Sequence, residues 1–150
     1  MRDSFQVVQE LIKLKAIKVE LHKQEREITR QAEELSKPIL SDKKQIKVLY
    51  EWFENLREEE KLTGSRSVHN RQFLFVVILL FSPSTLAGEK LRPGIRNELA
   101  EVFKCKSPSS ISNLCSDVLL WYQSYEGFRK STDALYSKLI DKIELKNDLN

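Results

Sequence analysis

An all-α fold is predicted by three observations. Helical patterning runs almost from end to end, only four Gly and four Pro interrupt the 150 residues, and the one apolar run with strand character has no second strand to pair with. Hydrophobic residues make up 41% of the chain, enough for one modest core, and charged residues make up 31%. The expected architecture is a long N-terminal coiled-coil-like helix or helical hairpin, residues 1–64, serving dimerisation. A compact C-terminal helical bundle, residues 65–150, follows it.

The first element runs from Asp3 to Ser36 without Gly or Pro, and Val7, Leu14, Leu21, Ile28 and Leu35 recur every seven residues. That period marks a coiled-coil seam. The complementary positions, four residues on, are Leu11, Lys18, Glu25 and Ala32, so the seam is apolar at its ends and charged in its middle. A helix about 50 Å long outruns one small core. Val7, Leu11, Leu14, Leu21, Ile28 and Leu35 are therefore expected to meet another helix, either the next segment folded back or the same helix of a second chain. A homodimer through the N-terminal helices is the expected assembly.

Pro38 ends this pattern, because its ring disfavours helical geometry at Lys37 and removes a backbone donor. A second helix is predicted from near Ser41, with Ser41 and Asp42 as caps, the stripe Ile46, Leu49, Tyr50, Phe53 and Leu56, and a stop near Gly64. Glu58, Glu59 and Glu60 read as a solvated face. Ser65 to Asn70 reads as a polar turn. Phe73 to Phe81 is apolar on every side and is assigned to a helix, the central post of the C-terminal core, although Val76, Val77 and Ile78 favour a strand. Ser82 to Thr85 ends it, and Leu86 to Leu91 is a short connector. A last amphipathic helix spans Tyr125 to Leu145, capped by Ser124, with Phe128, Leu135, Leu139 and Ile143 on one side and a fraying tail from Lys146.

Between these lies Ile95 to Val118, read as a helix, a tight turn and a second helix. Leu99 and Ala100 form an apolar-then-small pair, Phe103 and Cys105 are later apolar positions of the first helix and turn, and Ile111 and Leu114 lie on the second helix. This segment, about a sixth of the chain, resembles the helix-turn-helix DNA-binding family. Two features depart from the family pattern: the turn is one residue longer, and Lys104 stands where Gly is usual. With the usual turn geometry Lys104 would be left-handed, at a cost of roughly 1 to 2 kcal/mol, which a longer turn would relieve. Ser107 and Pro108 give the second helix its cap and first residue.

The resemblance implies that the second helix enters a major groove of double-stranded DNA. Ile111, Leu114, Cys115 and Val118 take its inner side, leaving Ser109, Ser112, Asn113 and Ser116 as short donors and acceptors. Arg92, Arg96, Lys104 and Lys106 flank that face as phosphate contacts, while Asp117 is mildly repulsive to phosphate. The end of this helix, Val118 to Tyr122, is apolar all round and is expected to be buried.

Charge placement agrees with this position. The net charge is only +3, but Ser65 to Lys106 holds seven basic and three acidic residues, whereas the flanking blocks are balanced or slightly acidic. Cys105 and Cys115 form no CxxC motif and read as reduced core residues. His22 and His69 read as solvated, with no metal site; no Gly-rich phosphate loop, GxSxG or HExxH occurs. The Trp and Tyr residues read as core. No cofactor, small-molecule substrate or enzymatic activity is expected. The longest apolar run is too short for a bilayer and MRDSFQVVQE has no signal-peptide core, which predicts a soluble cytoplasmic protein. The expected function is DNA binding, as in transcription regulation or a mobile-element accessory role. A non-enzymatic helical protein-protein interaction or assembly module is the alternative.

Overall fold

The structure, a computed structural model, describes residues 3–62 and 64–149, with side chains described as far as Lys146. It is all helical, with no β-strand among the described residues. The helices are α1 (Ser4–Leu35), α2 (Gln45–Glu59), α3 (Arg66–Phe81), α4 (Ile95–Val102), α5 (Ser109–Ser124) and α6 (Glu126–Leu149), with a 3-10 turn, Pro83–Ala87, between α3 and α4. The chain divides into residues 1–37 and 38–150.

In the first unit α1 is one uninterrupted helix. Asp3 caps it, its Oδ1 accepting from the Gln6 N–H at 2.8 Å. Arg30 pairs with Glu27 at 2.6 Å and with Glu34 at 2.7 Å on the solvated surface. No side chain of α1 is buried: the seam residues Val7, Leu11, Leu14, Leu21, Ile28 and Leu35 are all exposed, Ile28 at 66%. At its end the Ser36 hydroxyl donates back to the Ala32 carbonyl.

The second unit is built around α3. Ser65 caps it by accepting from the Val68 N–H at 3.3 Å, so the expected polar turn from Ser65 to Asn70 is instead the cap and first turns of this helix. Polar composition was the wrong guide there, because the first turn of a helix leaves N–H donors unpaired, and polar side chains that accept from them or face water belong to the helix entry as much as to a turn. Phe73 to Ile78, Leu80 and Phe81 are buried, as expected of a central post. At its C-terminal end the Leu80 carbonyl accepts from both Ile39 N at 3.0 Å and Leu40 N at 2.9 Å, which satisfies an orphan acceptor.

Helices α2, α5 and α6 pack around α3. The boundary expected after Gly64 therefore moves to Lys37: α2 buries Ile46, Leu49, Phe53 and Leu56 and packs against α3, α4 and α6. Its first turn begins later than Ser41, where Asp42 accepts from the Lys44 N–H at 3.0 Å. Tyr50, Phe53, Phe73 and Phe103 meet edge-on or tilted, and Phe75 stacks on Tyr122 at 4.2 Å. In α6, Phe128, Leu135, Leu139 and Ile143 are buried as the periodicity predicts. Ser124 ends α5 rather than capping α6, and the Tyr125 carbonyl takes the first bond of α6, from Arg129 N at 3.0 Å. Of the tail expected to fray, Lys146 to Leu149 continues α6, and Asn150 and the side chains after Lys146 lie outside the described residues. No helix of the described residues is long and apolar enough to cross a membrane.

Candidate nucleic-acid interface

The helix α4 ends in a pair of crossed hydrogen bonds: Lys104 N donates to Glu101 O at 3.2 Å and Cys105 N to Ala100 O at 2.8 Å. This is a Schellman closure, and it requires a left-handed residue at Lys104, whose φ is 57°. The longer turn therefore does not relieve the strain that a non-Gly residue carries there. The same closure ends α2, with Lys61 at φ 52° and bonds from Lys61 N to Glu58 O and Leu62 N to Arg57 O. Inside the first closure, Leu99 and Ala100 are buried in the core that α4 shares with α2 and α5.

The start of α5 falls one residue later than expected. Ser107 Oγ accepts from Ser109 N at 3.3 Å, Pro108 occupies the cap position, and the helix begins at Ser109. Ile111 and Val118 are fully buried, while Ser109, Ser112, Asn113, Ser116 and Asp117 are exposed. The expected burial of the end of α5 holds only in part: Val118 is buried, Leu119, Trp121 and Tyr122 are half-buried, and Leu120 is 59% exposed.

The loop before α4 supplies the neighbouring wall. Ser82, fully buried, bonds Thr85 Oγ1 at 2.9 Å and accepts from the Arg92 N–H at 3.2 Å, which fixes the loop backbone at Arg92. Gly88 and Gly94 turn the chain with φ of 98° and 87°. Lys43 lies over Gly94, where a side-chain methyl would sit 2.6 Å from its Cδ. Between this loop and α5 lies a groove of about 670 Å³, whose lining includes the apolar Ile78 and Leu119 and the polar Arg92, Arg96, Ser112 and Ser116. Arg96 reaches across it to donate to Ser112 Oγ at 3.3 Å.

The structure thus brings four of the eight expected DNA-contact residues, Arg92, Arg96, Ser112 and Ser116, into one groove. Lys104, Lys106, Ser109 and Asn113 are exposed on the turn and α5 but do not line it. Lys90 also lines the groove, and Glu89 is the single acid among its described lining residues. Lys90 was visible in the basic middle block. Lys43 carried no signal, because its position follows from contact with a glycine fifty-one residues away.

Asp117 is less repulsive to an anion than its sequence position suggests. Its carboxylate lies 3.5 Å from the Arg71 guanidinium, which is itself stacked over Trp121 at 4.5 Å. Cys115, half-buried at the groove, has its thiol pushed up to about 11 by burial, so it remains a neutral thiol. Both cysteines are unpaired and half-buried.

A second polar cluster joins α2 and α3. His69, expected to be solvated, is 6% exposed, with its ring edge-on to Tyr50 and Phe53. The Arg57 guanidinium donates to its Nδ1, and Glu54 lies 4.0 Å from its Nε2. Burial above all, then the Arg57 charge, lowers its pKa to about 4, so the ring is neutral. Arg66 donates to Tyr50 Oη at 2.8 Å and to Glu54 at 3.4 Å. No group of three or more His, Cys, Asp or Glu placed to hold a metal occurs among the described residues. Comparison with protein-family models, curated proteins and solved structures gave no match.

Proposed function

We propose that the protein binds double-stranded DNA through α4, its turn and the first two turns of α5, as a homodimer joined by α1. The observation that carries this reading is the groove where Arg92, Arg96 and Lys90 stand beside the exposed serines of α5 with a single acid among the lining residues. The arginines and lysine contact phosphates, which supply affinity and register. Ser109, Ser112, Asn113 and Ser116 face base edges or phosphates, with Asn113 able to bond adenine bidentately. Lys104 and Lys106, on the turn, extend the phosphate track. This face has no arginine of its own to read guanine, so its sequence selectivity is modest and it acts as a regulator or an architectural binder without enzymatic activity.

Titrating a labelled duplex by fluorescence anisotropy at about 50 mM salt tests the reading. Saturable binding supports it, and no binding at micromolar protein overturns it. A second reading, a non-enzymatic helical interaction or assembly module, draws on the exposed apolar side chains of α1 and on Leu120 and Tyr125, both more than half exposed. Capture of no DNA by a protein that still self-associates would favour it.

A further inference from the structure

The groove beside α5 offers more than DNA phosphates use. Backbone phosphates are met by cations and hydroxyls at a surface, yet Ile78, 1% exposed, and the half-buried Leu86, Leu91, Cys115 and Leu119 also line this groove. One wall shows how the two kinds of lining are arranged. At about 100° per residue, Cys115 and Leu119 lie between the buried line of Ile111 and Val118 and the exposed Ser112 and Ser116 around α5. This wall therefore passes from apolar toward the core to hydroxyl at the surface, and Arg96 joins the hydroxyl side by donating to Ser112 Oγ at 3.3 Å.

Size and charge choose the occupant. About 670 Å³ falls within the roughly 300 to 1,000 Å³ of small-molecule sites. Three lining cations, Lys90, Arg92 and Arg96, stand against one described acid, Glu89, and no described carboxylate pairs with any of the three. The two positive charges left over match the roughly −1.5 to −2 of a phosphate monoester at pH 7 and exceed the single charge of a carboxylate. None of the described lining residues is aromatic, so the groove offers aliphatic contact and no stack for a base. Its loop is held in place beforehand, since the buried Ser82 accepts from the Arg92 N–H at 3.2 Å.

We propose that this groove takes a soluble phosphate monoester with an aliphatic body, the phosphate on Arg92, Arg96 and Ser112 and the chain along Cys115, Leu119 and Ile78. The ligand and the DNA backbone then compete for the same two arginines, so the ligand releases DNA. That release rests on the DNA reading above; the ligand site itself does not.

Isothermal titration calorimetry of the full chain with hexyl phosphate and with methyl phosphate, which share a head and differ in body, tests the site. Hexyl phosphate should bind more tightly by about tenfold or more, because its buried methylenes add to affinity. Arg92→Ala with Arg96→Ala should weaken both esters by about tenfold. Leu119→Asn should bring hexyl phosphate down to the methyl phosphate affinity, with the unchanged methyl phosphate affinity reporting an intact fold. Equal affinities of the two esters for the native protein, or heptanoate binding as tightly as hexyl phosphate, overturn the proposal. So does a protein that pellets with phosphatidic acid vesicles but binds no hexyl phosphate in solution, which makes the source a lipid headgroup. In labelled-duplex anisotropy, saturating hexyl phosphate should raise the apparent dissociation constant by about fivefold or more. Hexyl phosphate that binds without displacing the duplex supports the site and overturns the competition. A duplex that never binds overturns the DNA reading alone, and the ester affinities still decide the site.

Discussion

Helices α1 and α3 are both unbroken and both rich in large apolar residues, yet α3 buries ten of its sixteen side chains and α1 buries none. The difference lies in the arrangement of the apolar residues. In α3 they cover every side from Phe73 to Phe81, which only a surrounding shell can satisfy, and α2, α5 and α6 form it from the same unit. In α1 five of them recur by sevens along the whole helix and the others, Phe5, Val8, Leu11, Ile12, Ile17 and Val19, lie between them in its first half, a spread over 32 residues that a short core does not cover. Apolar content alone predicts neither outcome; period and length predict both.

The largest expected effect tests the α3 side of this contrast. Phe73→Ala, at a fully buried position among Tyr50, Phe53 and Phe103, should cost about 3 to 5 kcal/mol in urea unfolding. Leu21→Asp in α1 should leave the unfolding midpoint of the C-terminal unit unchanged while lowering the mass of the particle. If the two substitutions destabilised that unit equally, the division between a self-sufficient core and a helix outside it would fail.

A smaller effect concerns the polar edge of the same core. Unfolded, His69 takes up a proton near 6.5; folded, burial and the Arg57 charge delay this to about 4. Unfolding between these values binds a proton, so stability is complete above pH 6.5 and is lost as the pH falls, by about 3 kcal/mol at pH 4. His69→Gln should flatten this window relative to the native protein. An identical acid slope in the variant would assign the loss to other groups.

Smaller again are the two left-handed lysines. Lys104→Gly and Lys61→Gly should each stabilise by about 1 kcal/mol, since glycine adopts φ near +55° without a Cβ clash but gives back part of the gain in unfolded-state entropy. Thermal melts of the two variants provide the check. A loss of stability at Lys104 with a gain at Lys61 would mean that the Lys104 side chain makes a contact of its own.

The helices were legible because each repeats a local rule. The unbroken helix of α1, the stripe of α2, the Phe128 to Ile143 face of α6 and the break at Pro38 depend on neighbours within a few turns and reappear in the structure, while the sevens of α1 lie exposed. Lys104 was legible as the place where a usual turn would put strain, since a helix stop is local chemistry, but the relief expected from a longer turn is absent at its φ of 57°. What could not be read depends on distant contacts. His69 looked solvated because its sequence neighbours are polar, while the groups that bury it, Tyr50 and Phe53, belong to α2. The groove was half legible: Arg96 and Ser112 come from the two helices the pattern paired, but the hold of Ser82 on the Arg92 backbone and of Gly94 beneath Lys43 arises only on folding. Leu120 is the converse case, an apolar residue whose placement in an apolar run did not carry it into the core.

The central claim, that the groove beside α5 holds DNA phosphates, is tested most directly by the salt dependence of duplex binding for the native protein and for Arg92→Ala with Arg96→Ala. Each lost phosphate contact removes roughly 0.9 from the slope of log affinity against log salt concentration, so the double variant should be shallower by about 2. A native slope near zero, or a variant that binds with the native affinity and slope, would contradict it.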